Sequence, residues 1–268
     1  MHNFKKIFRY FLIYGLGRTI VKIAGRYRKV PLHYFFPKLF LKKYTKVISL
    51  IGCGQFGFST ISYFLFNQQG DKFLECYDIH KPNQHSCAKF WNFTEQDNPD
   101  KLISNPDCQL VYVASNHYSH TDYAIRALEM GKVVYIEKPV AVNYEQLNRI
   151  LITIKNTESK LFAGYNRPFS DAIIQLKKWQ PSKSPITLNC FVVGHKLERH
   201  HWYRNPQEGT RVCGNIGHWL DLAVHLLASR HQVPDTFHIS LAYSKDTERD
   251  DNVAVSITTD FNDLITII

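Results

Sequence analysis

The sequence predicts an α/β chain in which a doubly wound parallel sheet is followed by an incomplete α/β domain with an open, mostly antiparallel sheet. Three observations carry this prediction. From residue 46 onward short β-branched runs alternate with segments of helical length, a glycine-rich turn joins the first run to the first helix, and after Arg167 the pattern changes to mixed helix and strand. At 268 residues and 44 % apolar content the chain can bury two cores. The expected organisation is an arm over 1–45, a first domain over 46–165 and a second, short domain over 166–268.

Residues 1–46 hold twelve Lys or Arg and no Asp or Glu, whereas the rest carries 21 basic against 23 acidic residues. The body is therefore nearly neutral and lacks the electrostatic motive for nucleic-acid binding. In the arm, Phe4, Ile7, Phe8, Phe11 and Leu12 recur at helical spacing with Lys5, Lys6 and Arg9 between them, the pattern of a basic amphipathic helix. Its apolar runs are too short to span a bilayer. Two readings stay open: peripheral contact with an anionic membrane surface, or packing on a partner or on the chain's own domains. Six cysteines without a CxxC pair argue against a disulfide framework or structural zinc and for a reducing, cytoplasmic setting.

The run "KVISLI" ends at Gly52, "FSTISYFLFNQQ" has helical length, and "KFLECYDI" is the next strand. Gly52, Gly54 and Gly57 thus lie in a strand-to-helix turn. There the first permits a tight turn, the second lets a pyrophosphate approach the backbone, and the third lets helix and strand pack closely. A helix start supplies N–H groups and a positive dipole end to phosphates. Asp78, twenty-one residues beyond Gly57 at the end of the second strand, is placed to accept ribose hydroxyls and favours NAD; Lys81 nearby keeps NADP as the alternative.

Further along, "DCQLVYVASNHYSHTDYAIRALEMGKVVYIEKPVA" gives a strand, an Asn-bearing turn, a helix with a GK exit, and a strand ending in Glu137, Lys138 and Pro139. With "GYNRPFS" and "GNIGHWLDLAVHLL" it resembles the glucose-fructose oxidoreductase and inositol dehydrogenase family (Gfo/Idh/MocA) over roughly residues 46–268. The resemblance implies a Rossmann domain, NAD or NADP as cofactor, and hydride transfer at a secondary hydroxyl of a sugar or nucleotide-activated sugar. It implies that Asn116, His120 and Glu137 contact the cofactor, that Lys138 and His218 are catalytic, and that Asn166 and Arg167 line the substrate crevice. A lysine at the carboxyl end of a sheet strand can polarise or deprotonate a hydroxyl, more readily if burial and a neighbouring cation lower its pKa. His120 reads equally well as a satisfied helix-start histidine. The chain departs from the family at Ser115, where a proline is usual, and at Gly214, where many members carry an Asp four residues before the histidine.

In the second domain "ITLNCFVV", "FHISLAYS", "NVAVSITTD" and "LITII" read as strands, and a long helix begins near Val212. His218, Asp221 and His225 share a helix face, a spacing that invites a metal, but the resemblance implies none. In "KLERHHWYRNPQEGTR", Arg199, His200, His201, Trp202, Tyr203, Arg204 and Arg211 gather cations and aromatics. This loop suits a sugar stacked on Trp202 and an acidic group held by Arg204 and Arg211. The terminal "DFNDLITII" reads as the start of further sheet, so its apolar strand is expected as an uncovered edge. A homo-oligomer and work at the inner membrane face, in surface polysaccharide assembly, complete the expectations; the alternative is a non-catalytic scaffold or sensor that keeps the fold.

Overall fold

The computed structural model describes residues 2–28, 44–180, 183–194, 197–198, 200–230, 233–247, 249 and 251–268. Arm residues 29–43 and Arg199 lie outside the described residues, as does the side chain of Phe4. The chain divides into two compact units, 1–137 with 145–162, and 138–144 with 163–268.

The first unit is a six-stranded parallel sheet in the order β3-β2-β1-β4-β5-β6. Its strands are β1 (Ile48–Ile51), β2 (Phe73–Tyr77), β3 (Thr94–Glu95), β4 (Leu110–Val113), β5 (Val133–Ile136) and β6 (Leu161–Ala163). All four residues of β1 are buried between β2 and β4, which explains its unbroken apolar and β-branched character. The order reverses between β1 and β4, the switch point at which doubly wound sheets bind ligands.

Helices α1 (His2–Tyr27), α2 (Ser62–Gln69), α3 (Lys81–Trp91), α4 (Pro99–Ser104), α5 (His117–Glu129) and α6 (Tyr144–Asn156) connect or flank these strands. A π turn at Gly57–Ile61 leads into α2. It is pinned from below: Phe58 is 2 % exposed, packs against Phe90 and Trp91, and its carbonyl accepts the Trp91 indole N–H at 2.9 Å. Burial of such an aromatic is worth about 2 kcal/mol.

The arm is divided by Gly15, whose φ of 79° interrupts α1. Before the kink, Phe8, Leu12 and Ile13 are exposed. After it, Val21 and Ala24 are buried in the core of the first unit. Arg18 donates to the Ser59 carbonyl and lies over the Phe64 ring, while Arg28 donates to the Cys53 carbonyl at 2.7 Å and to Ser86 Oγ at 2.8 Å. The second half of α1 thus follows the packing alternative.

The second unit holds α7 (Asp171–Trp179), α8 (Gly217–Ala228) and a four-stranded sheet ordered β7-β10-β9-β8. Its strands are β7 (Thr187–Cys190), β8 (Phe237–Tyr243), β9 (Val253–Thr259) and β10 (Leu264–Ile267). Only β7 and β10 pair parallel. Leu222, Ala223, Leu226 and Leu227 are the buried residues of α8. Ala223 and Leu227 share a core with Val255, Ile257, Ile265 and Ile267 of the sheet.

The terminal strand corrects one expectation. β10 lies inside the sheet between β7 and β9, so the edges are β7 and β8 instead. A buried bidentate pair locks it there: Arg230 meets Asp263 at 2.5 and 2.7 Å, and the same carboxylate accepts Thr259 Oγ1–H at 2.6 Å and the Ile186 N–H at 2.8 Å.

Candidate functional site

The carboxyl ends of β2, β1, β4 and β5 bring Asp78, the glycine turn, Asn116 and Glu137 to one edge of the first unit's sheet. Gly52 has φ +98°, and a Cβ there would run into the Ala114 carbonyl group. A Cβ at Gly57 would overlap the Gly52 carbonyl oxygen. Both glycines are required by the protein itself. Gly54 is different: its φ is not positive, and a Cβ would meet nothing within 4 Å. Space is kept open at the one glycine that neither backbone conformation nor packing demands, which is what close approach of a pyrophosphate needs. The first backbone bond of the helix runs from Phe58 N–H to Gly54 C=O, so the N–H groups before it have no intrahelical acceptor.

Asp78 accepts the Cys53 N–H on Oδ2 and the His80 N–H on Oδ1, each at 2.7 Å, and each oxygen retains a lone pair for a ribose hydroxyl. Lys81 is directed elsewhere, to Gln84 Oε1 at 3.0 Å and Asp97 Oδ1 at 3.1 Å. These residues fit a dinucleotide. Asn116 precedes α5 and its Oδ1 accepts the Ser119 hydroxyl at 2.6 Å; Ser115, in the usual place of proline, is linked to Ser119 at 2.7 Å. His120 is 1 % exposed, with Nε2 at 3.1 Å from the Ser115 carbonyl. It braces the turn from beneath, and its place among Thr121, Ala124, Ile125 and Leu128 on the buried helix face is a signal present in the sequence. Glu137 closes β5, where its N–H meets the Val113 carbonyl at 2.8 Å, and its charge adds to the burial that pushes Tyr135 up to about 12.

In the second unit the Lys138–Pro139 peptide is cis. Lys138 Nζ donates to the Gly214 carbonyl at 2.9 Å and to Tyr203 Oη at 3.1 Å. An open pocket of about 380 Å³ is lined by Arg167, His201, Tyr203, Asn215, His218 and Trp219, among others. Asn166 sits at the start of the turn that presents Arg167, and the Arg167 guanidinium lies 4.6 Å from the Trp219 ring centroid.

Burial, then the Arg167 and Lys138 charges, lowers His218 to about 4, so its imidazole is neutral at physiological pH. Its Nδ1 is buried and without a hydrogen-bond partner, as is Asp221 Oδ2. Burial also raises Asp221, with His225 opposing. His225 is turned to Lys177, at 2.5 Å.

The aromatic loop divides by residue. Trp202 is 49 % exposed and packs edge-on against Tyr203, which is the loop's aromatic in the pocket. Arg204 and Arg211 both reach Asp251 Oδ1, at 2.9 and 3.2 Å, an ion-pair partner some forty residues away that no local pattern signals. Arg211 and Asp251 line a second pocket of about 470 Å³.

Comparison with known proteins agrees with the fold. The model of an oxidoreductase family with an NAD-binding Rossmann fold, GFO_IDH_MocA, matches residues 46–165. The inositol 2-dehydrogenase of Ralstonia nicotianae is 28 % identical over 64 % of this chain and 50 % of its own length. That of Gluconacetobacter diazotrophicus is 28 % identical over 67 % and 54 %. The chain spans about half the length of these curated relatives. Among solved structures, myo-inositol dehydrogenase of Lactobacillus casei, in complex with NAD(H) and myo-inositol, has a TM-score of 0.68 at 16 % identity over 84 % of this chain and 67 % of its own. The WlbA dehydrogenase of Chromobacterium violaceum, with NADH and UDP-GlcNAcA, has a TM-score of 0.69 at 16 % identity over 85 % and 68 %. These two likenesses show the fold.

Proposed function

Because residues 46–165 belong to the Gfo/Idh/MocA family of oxidoreductases with an NAD-binding Rossmann fold, we propose that the chain transfers a hydride between a nicotinamide dinucleotide and a secondary hydroxyl carbon of a sugar, cyclitol or nucleotide-activated sugar. The observation that carries this reading is Gly54, open to solvent between two glycines the protein needs for itself, with Asp78 tied to the same turn. The nicotinamide, when bound, supplies or accepts the hydride.

The chain's own residues manage the proton. With a dinucleotide bound, the neutral His218 imidazole would accept the hydroxyl proton in the oxidative direction, and Lys138 would hydrogen-bond the same oxygen. In reduction the proton returns by the same route. Asn166 and Arg167 orient the ring, and Trp219 stiffens Arg167. The engagement of Lys81 by Asp97 supports NAD over NADP.

We further propose that the exposed first half of α1, with Phe8, Leu12 and Ile13 beside Lys5, Lys6 and Arg9, rests on an anionic membrane surface and holds the enzyme at the inner face, near polysaccharide assembly. No helix among the described residues is long and apolar enough to cross a membrane. The exposed apolar side chains of edge strand β8, Ile239 and Leu241, support a homo-oligomer.

Calorimetric titration with NADH and NADPH, followed by a turnover screen over inositols, sugars and sugar nucleotides, tests the central reading. Binding with turnover is expected. Absence of binding to either dinucleotide overturns it.

A further inference from the structure

Tyr203 enters the pocket from a 3₁₀ turn, Trp202–Arg204, whose ends are fixed. His201 Nδ1 accepts the Tyr203 N–H at 3.2 Å, and Arg204 is paired to Asp251. From there the phenol runs along the backbone of Gly214, where any Cβ would overlap it. Nothing in the backbone of Gly214 requires glycine, because its φ is not positive. The glycine serves the ring.

The result is a directed chain of hydrogen bonds. Lys138 Nζ donates to Tyr203 Oη at 3.1 Å, and Tyr203 Oη–H donates to Asn215 Oδ1 at 3.3 Å. Burial pushes the phenol up to about 12, with Arg211 opposing and Cys213 adding to the rise. It therefore keeps its proton and uses a lone pair, never a charge, to hold the lysine. Among the described residues, the other titratable or charged groups around this chain include Arg167, Arg211, Cys213, His218 and, on the turn of Tyr203 itself, His201.

We infer that Tyr203 is a positioning residue: its hydroxyl, admitted by the glycine at 214 and aligned by Asn215, fixes the Lys138 amine to hydrogen-bond the substrate oxygen in the pocket. The inference rests on the proposed role of Lys138. An uncharged acceptor orients the Lys138 amine without competing for it as strongly as a carboxylate would, so the amine stays available to the substrate oxygen.

The test reads Lys138 directly on the full chain. Acylation of Lys138 by acetic anhydride is followed over a pH series by peptide mass spectrometry. Loss of an acceptor from the charged form lowers an amine's midpoint, so Tyr203→Phe should shift it down by about one unit, making the amine about tenfold more reactive near neutrality. Gly214→Ala, which keeps the hydroxyl but displaces the ring, should shift it in the same direction, and the double variant should shift it no further than Tyr203→Phe. Once a substrate is in hand, kcat should fall about tenfold in Tyr203→Phe with KM within about twofold. An unmoved midpoint in Tyr203→Phe, with the unfolding temperature unchanged, would make the ring a packing element and overturn the inference. This readout needs neither dinucleotide nor substrate, so its failure leaves the hydride-transfer reading standing, and absence of turnover in the parent chain leaves this result standing.

Discussion

Asp78 Oδ2 accepts the backbone N–H of Cys53 at 2.7 Å, joining the end of β2 to the glycine turn after β1. One carboxylate thus shapes the turn, and on the proposed reading it also holds the ribose. Asp78→Ala should weaken NADH binding at least tenfold, since a charge-assisted hydrogen bond is worth about 1.5–3 kcal/mol. Unchanged affinity by calorimetry would remove Asp78 from the dinucleotide site.

The three glycines should separate in a paired experiment. Gly54→Val leaves the unfolding temperature near that of the parent chain and abolishes dinucleotide binding, because its side chain projects into open space. Gly52→Ala, with φ +98° and the Ala114 carbonyl group in the way, lowers the unfolding temperature as well. Equal thermal losses in both variants would mean that Gly54 is structural.

His218 carries a pH signature. Its folded value of about 4 lies below the ordinary 6.5, so the unfolded chain binds its proton more readily than the folded one. The stability it contributes is full above about pH 6.5 and is lost as pH falls towards 4. In turnover, the acid limb of kcat/KM should likewise fall nearer 4 than 6.5 and disappear in His218→Asn. A limb centred at the ordinary histidine value would show that His218 is not the base.

Asp263 works in the opposite structural role, as a buried anchor. Burial alone would raise it, but the Arg230 guanidinium, the Thr259 hydroxyl and the Ile186 N–H together hold it below the usual carboxylate range. Its contribution is present above the unfolded carboxyl pKa and is lost as pH falls below that towards its folded value. Asp263→Asn removes the carboxylate that neutralises the buried Arg230 guanidinium and should cost the second unit about 3–5 kcal/mol in denaturant unfolding. A cost within about 1 kcal/mol would mean that the pair is not an anchor.

For the arm, replacing Lys5, Lys6 and Arg9 with Gln should weaken binding to phosphatidylserine vesicles about a hundredfold, at about 1 kcal/mol for each cation. Removal of the whole arm is the poorer test, because Arg28 also supports the Cys53 carbonyl and Val21 is part of the core. Unchanged vesicle binding in the triple variant would exclude the lipid surface.

The strand-to-helix rhythm, the three glycines and the long helix bearing His218 are legible in the sequence because each shows as a spacing of residue types within a short stretch. Arg28 against Cys53, Asp251 between Arg204 and Arg211, and Tyr203 across Gly214 are not. Each depends on chain segments that meet only after folding, and an arginine or tyrosine carries no local mark of its partner. The order of the second sheet is hidden for the same reason: the apolar alternation of β10 marks a strand but not its neighbours.

The central position of β10 also sets an order of assembly. In the first sheet β1 has its partners once β4 has been made, and β5 and β6 add outward as the chain lengthens. The second sheet cannot close that way. Among the described residues β7 has no neighbour until residues 264–267 arrive between it and β9, and Arg230 waits for Asp263 over the same interval. On a ribosome, the dinucleotide-binding unit can therefore gather its sheet while the unit carrying Lys138 and His218 remains an exposed, half-paired surface, open to aggregation until β10 has been made.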